Sequence, residues 1–240
     1  MNIETEDKEL ISIDDISFMQ LADSFFPTGL YTTSNGLELL FYQKNKKLNY
    51  NNIFDFINAY ISNQIGPTDC AIVGNVYNCI QSNDCSKLLE LDNIYYCTRL
   101  IEETRSASTR SGIQLLKCIS SFITDNNSVN FYLENIKKEH AKGVYPVSFA
   151  IACSAMNIKK ERSGLMLIYG FAISIIGAAL RLGIIQHYDG QRLIHRMKPI
   201  ILSNVLKNIN KSYINIWQFI PQLDIIQMQH EQMDSKMFIT

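Results

Sequence analysis

SGLMLIYGFAISIIGAAL, residues 163–180, runs for 18 positions without a charge, and its reading decides the fold. A membrane-spanning helix needs about 20 mostly apolar residues, so the run reaches the lower edge of a span. Yet Gly164, Gly170, Ser174, Gly177, Ala178 and Ala179 dilute its hydrophobicity, and no second such run exists. Lys159, Lys160, Glu161 and Arg162 precede it, and Arg181 follows at once. A helix buried on all sides in a globular bundle has the same signature. The segment is therefore read as a central core helix. Gly170, Ser174 and Ala178, four residues apart, form a stripe along which another helix of the same chain can pack closely.

The flanking sequence is helical too. Ile53, Ile57, Ile61 and Ile65 recur at helical spacing, and Gly66-Pro67 is expected to end that helix. Thr68 and Asp69 can cap the next, which carries Ile72, Val73, Val76, Tyr77 and Ile80. Residues 94–122 form one long helix or two. Asp125-Asn126-Asn127 is a turn-prone break, with Ser128 available as a cap. Pro146 sits where a first helical turn tolerates proline, and Pro199 falls inside the helix from Asp189 to about Asn208. Isoleucine nominally favours strands, but periodicity and segment length outweigh that weak preference. The expectation is an all-α, single globular domain over residues 1–240, with about eight to ten helices around the buried central one.

The chain is 47% hydrophobic over 240 residues, enough for one substantial core. A net charge of -1 argues against nucleic acid or an anionic membrane as partner. The opening MNIETEDKEL is acidic and polar, unlike a secretory signal, which points to the cytoplasm. The six cysteines show no C-x-x-C pair and no zinc-finger spacing to a histidine; they read as reduced, small apolar residues, with no metal site.

A search for chemistry finds little. No G-x-x-x-x-G-K-[ST], G-x-S-x-G, H-E-x-x-H or G-x-G-x-x-G occurs. Glu102 and Glu103 are adjacent, so they point to different sides of a helix. His187 and Asp189 could bind a metal or relay a proton, but a solvated turn before a helix, with Asp189 near its N-terminus, is the favoured reading. No catalytic residue and no cofactor are assigned. A helical enzyme with an unrecognised site is the alternative.

Four segments together resemble the UreF family of urease accessory proteins: MQLADSFFPTGLYTTSNGLE (Met19–Glu38), RSASTRSGIQLL (Arg105–Leu116), GAALRLGIIQHYDGQRLI (Gly177–Ile194) and the tail from Gln229 to Thr240. The chain departs from the family pattern at Leu30, at Val144-Tyr145-Pro146, at Lys236 (often arginine) and at Thr240 (often serine). The resemblance implies a cytoplasmic, all-helical homodimer that is not an enzyme. It would partner with a UreD/UreH-type accessory protein, a UreG-type GTPase and apo-urease in GTP-dependent nickel insertion.

Carried over residue by residue, Glu38 and Arg181 match the surface facing the GTPase, where both are expected to be exposed. Locally, each is also what a helix dipole favours at its position. Pro27, Gly29, Gly36, Gly183, Gly190 and Gln191 read as turn and structural positions. His230, Glu231, Lys236 and Phe238 mark residues 224–240 as a tail for the UreD/UreH-type partner. Its apolar side chains exceed those of an ordinary fraying end, so it is expected to stay mobile until bound.

Overall fold

The computed structural model describes residues 11–23, 25–27 and 32–240, and among them no strand occurs. The acidic opening and Gly29 lie outside the described residues. In chain order the elements are α1 (Ile13–Ala22), α2 (Leu37–Gln43), α3 (Tyr50–Tyr60), a π-helical segment (Ile61–Cys70), α4 (Ala71–Ser82), α5 (Cys85–Thr98), α6 (Glu102–Ser120), α7 (Asn127–Lys137), α8 (Tyr145–Ala155), α9 (Lys160–Arg181), α10 (His187–Asn208), a 3-10 turn (Tyr213–Asn215) and α11 (Pro221–His230). The all-α expectation holds.

The uncharged run becomes α9, which packs against α2, α3, α4, α8, α10 and the π segment. By length and composition it could cross a membrane, but 56% of its most apolar window is buried among the other helices. Its polar positions are served inside the bundle: the Ser163 and Tyr77 hydroxyls lie 2.6 Å apart. Burial is not complete all round. Tyr169, Gly170, Ile173, Ser174 and Gly177 line a groove of about 500 Å³ with Leu21 and Phe26. The small-residue stripe is thus split: Ala178 lies in the core, while a Cβ at Gly170 would meet open space. Close backbone approach falls elsewhere. A side chain at Gly74 would collide with the Ile209 carbonyl, and one at Gly112 with the Gly143 carbonyl.

Gly66-Pro67 does not end a helix. Residues 50–82 run on continuously, with the π segment in the middle. Pro67 lacks an N–H, and its ring crowds the carbonyl four residues back. The wider π turn makes room, and the freed Asn63 carbonyl accepts the Phe219 N–H at 3.0 Å. Thr68, expected to cap, donates instead to the Trp217 carbonyl at 2.7 Å. The stretch 217–219 thereby replaces the bond that proline removes and adds one to Thr68.

Other expectations resolve locally. Residues 94–122 form two helices, broken at 99–101, where Arg105 Nη1 donates to the Arg99 and Leu100 carbonyls. Asn126, not Ser128, caps α7 by accepting the Val129 N–H at 3.1 Å. Pro146 does sit in the first turn of α8, and α10 continues through Pro199. Pro221 opens α11. All six thiols are free. Burial pushes Cys70 and Cys153 up to about 12 and Cys79 up to about 11, as inert core thiols should be; Cys85 and Cys97 are exposed instead.

Asp69 forms a buried pair with Arg99, and the Tyr95 hydroxyl donates to Asp69 Oδ2 at 3.0 Å while accepting from Arg99 Nε at 2.9 Å. Burial opposes the Arg99 charge, but the Asp69 carboxylate and Tyr95 more than offset it and hold the guanidinium charged. Breaking a buried pair by deleting one partner usually costs about 3–5 kcal/mol. Asp69→Ala is expected to destabilise the fold by that order in urea melts. A loss under about 1 kcal/mol would show that the pair is relaxed by water.

Candidate partner-binding site

The residues matched to the GTPase face and to the tail come together at one end of the bundle. Gly36 starts α2 with φ +85°, a conformation that glycine adopts without strain. Its missing side chain also lets Ile226 and Gln227 of α11 approach, since a Cβ there would lie 3.1 Å from Ile226. This turn places Glu38 in the first turn of α2, facing inward.

Glu38 is 1% exposed, so the expectation of an exposed residue is overturned. Its carboxylate accepts the Met237 N–H at 2.9 Å and the Phe238 N–H at 3.1 Å. The second oxygen also lies 3.3 Å from His230 Nε2. The local reading, a carboxylate favoured by the helix dipole, missed these long-range partners. A carboxylate can be buried only when its oxygens are satisfied, and the returning tail supplies what satisfies them.

The tail is therefore docked in the free chain, contrary to the expectation of a mobile end. His230, at the end of α11, is buried, with Nδ1 2.9 Å from Glu103 of α6. Lys236 donates to the other Glu103 oxygen at 2.8 Å and to the Glu231 carbonyl at 3.2 Å. Glu231 in turn accepts the Glu103 N–H at 2.8 Å, capping α6, whose own N-cap residue Ile101 has no side-chain acceptor. Phe238 is 2% exposed and lies beneath Arg181, whose guanidinium carbon is 4.4 Å from the ring centroid, a cation–π distance. Beyond it the Ile239 N–H donates to Thr32, and Ser34 donates through its N–H and hydroxyl to Thr240 at 2.7 and 2.5 Å.

Arg181 is half-buried at the end of α9, and its Nε also bonds the Gly177 carbonyl. Of the remaining matched positions, Gly183 and Gly190 shape the backbone. Gly183 has φ +71° and closes α9: its N–H reaches Leu180 and that of Ile184 reaches Ala179, a Schellman stop. Gly190 lets α10 approach Ile176 of α9. Gln191 and Pro27 are exposed. Asp189 serves a capping box with Gln186 at the start of α10, and His187 is exposed, so the turn reading of that pair stands. Glu103 was passed over in sequence because its neighbour Glu102 suggested a poor pair; its real partners come from the far end of the chain. Among the described residues no three or more His, Cys, Asp or Glu side chains converge as a metal site.

Glu38→Ala strips the acceptor from two backbone N–H groups and His230. Each unsatisfied buried group costs about 1–3 kcal/mol, so the variant is expected to lose several-fold or more of the amide protection at Met237 and Phe238 and to melt lower. Lys236→Ala removes a partly exposed ion pair worth about 1 kcal/mol or less and should change melting little. Equal effects from the two would contradict this ranking.

A family model described as UreF matches residues 49–198, more than half of the chain. Among similar proteins, a urease accessory protein UreF of Trichodesmium erythraeum (strain IMS101) is 28% identical over 225 residues, covering 94% of this chain and 96% of its own length. One from Bacillus sp. (strain TB-90) is 27% identical over 228 residues, covering 94% and 98%. One from Yersinia pseudotuberculosis serotype I (strain IP32953) is 26% identical over 229 residues, covering 94% and 97%. With the all-helical architecture and the motif order already described, the chain belongs to the UreF family of urease accessory proteins, a non-catalytic family.

Proposed function

We propose that this protein is the scaffold of a cytoplasmic urease-maturation complex. It would hold a UreD/UreH-type accessory protein, a UreG-type GTPase and apo-urease together while GTP hydrolysis drives nickel insertion. It would act as a homodimer and gate the GTPase without hydrolysing nucleotide itself. Nickel is the cargo of the complex, and no residue here is assigned to hold it.

One observation carries the reading. Glu38 and Arg181, the positions matched to the GTPase-facing pair, both grip the tail matched to the accessory partner: Glu38 through the Met237 and Phe238 N–H groups, Arg181 over the Phe238 ring. A partner that takes hold of the tail must take Phe238 from both residues and His230 from Glu38, and must also part Glu231 and Lys236 from Glu103, so tail capture and GTPase gating share one surface. Glu38 acts in this reading mainly through the tail, whereas Arg181, half-buried, would meet the GTPase with the part of its side chain left at the surface. Lys236 offers a point charge where the family often has arginine, without bidentate geometry.

Reconstitution tests it. Purified chain, accessory partner, GTPase, apo-urease and nickel are expected to yield active urease only with the chain and GTP both present. Arg181→Ala should lower activation at least tenfold, while the lost contact with the Phe238 ring lowers stability by only about 0.5–1 kcal/mol. Full activation without the chain would overturn the scaffold role; wild-type activation by Arg181→Ala would remove that residue from it.

A further inference from the structure

His230 is 0% exposed, and both its ring nitrogens face carboxylate oxygens: Nδ1 lies 2.9 Å from Glu103 Oε2, and Nε2 lies 3.3 Å from Glu38 Oε2. A neutral imidazole has one N–H and one lone pair. Either contact can then be a hydrogen bond, but the other sets a nitrogen lone pair against a carboxylate lone pair. The geometry is satisfied only with one further proton in the cluster, on the ring or on a carboxylate.

The charges around it make the same point. Glu38 comes from α2 and Glu103 from α6. Glu231 and Lys236 come from the tail, and Arg181 of α9 lies over the neighbouring Phe238. With the extra proton, His230 and Lys236 balance Glu38 and Glu103. Without it, a buried site keeps a net negative charge that water cannot screen.

We propose that the docked tail is a proton-dependent latch: seating the last turn of α11 and residues 231–240 takes up one proton at the Glu38–His230–Glu103 cluster. Once the latch opens, these groups meet water and no longer share that proton. Because docking takes it up, acid favours the docked tail and rising pH weakens docking, by up to tenfold per pH unit. The consequence that pH then controls capture of the tail by a partner rests on the function proposed above, but the latch itself does not.

The test uses the full chain alone. Exchange protection at the Met237 and Phe238 amides, taken relative to an unstructured chain to remove the intrinsic pH effect, is measured from pH 5.5 to 8.5. Long-range proton–nitrogen spectra of the His230 ring are recorded on the same samples. Protection is expected to fall at least tenfold as pH rises, with both ring nitrogens in the doubly protonated pattern where protection is high. Glu103→Gln supplies an amide donor to a neutral ring nitrogen, so its protection should vary less than threefold over the range. Constant protection in wild type with a singly protonated ring would overturn the latch, as would an undiminished pH dependence in Glu103→Gln. If that variant fails to fold, the wild-type spectra decide alone.

Discussion

The Glu38 carboxylate is the constraint around which one end of the molecule is arranged. A charge at 1% exposure is tolerable only if donors surround it. The donors come from Met237 and Phe238, with His230 as a third partner. Satisfying them brings the chain end across the starts of α2 and α6 and seats Phe238 under Arg181. Gly36 is part of the same arrangement, since its φ of +85° suits glycine and α11 lies close against it at the start of α2.

A second long-range exchange holds the middle of the bundle. Pro67 takes an N–H out of a helix that nevertheless continues, and the Phe219 N–H returns the missing bond. Asp69, displaced from a capping role, becomes the buried partner of Arg99. In both places the segment after α10 supplies what the first half of the chain lacks. The fold is closed by its last quarter, and the surface matched to partners lies there too. That is the physical basis for expecting a binding event at the tail to be felt across the bundle end, in a protein whose described residues offer no metal cluster and whose family is not catalytic.

Much of this was legible in the sequence. The uncharged run at 163–180 declared a core helix because charges bracket it and small residues dilute it, and α9 is that helix. Pro146 declared the start of α8, and helical spacing overrode the isoleucine-rich composition throughout. The motif order declared the family. What stayed hidden depends on partners distant in sequence. Glu38 looked like a surface carboxylate because the dipole argument is local, whereas its partner His230 is 192 positions away. Pro67 looked like a terminator because the Phe219 N–H that relieves it cannot be foreseen from its neighbours. The tail looked mobile because its apolar content exceeds that of an ordinary fraying end; Phe238 is instead buried beneath Arg181, while Ile225, Met228, Met237 and Ile239 stay exposed. Gly170 misled in the opposite direction, since a small residue at helical spacing marks available closeness without saying whether anything fills it.

The central claim is that the tail is closed on its own bundle in the free protein and is handed to a partner. Pulsed electron resonance between spin labels introduced as noncanonical residues at Met237 and Gln114, both exposed, measures it most directly. The account predicts one narrow distance distribution for the isolated chain in mildly acidic solution, replaced by a different narrow distribution when the UreD/UreH-type protein is added. A broad distribution in the isolated chain, or an unchanged distance in the partner complex, would contradict it.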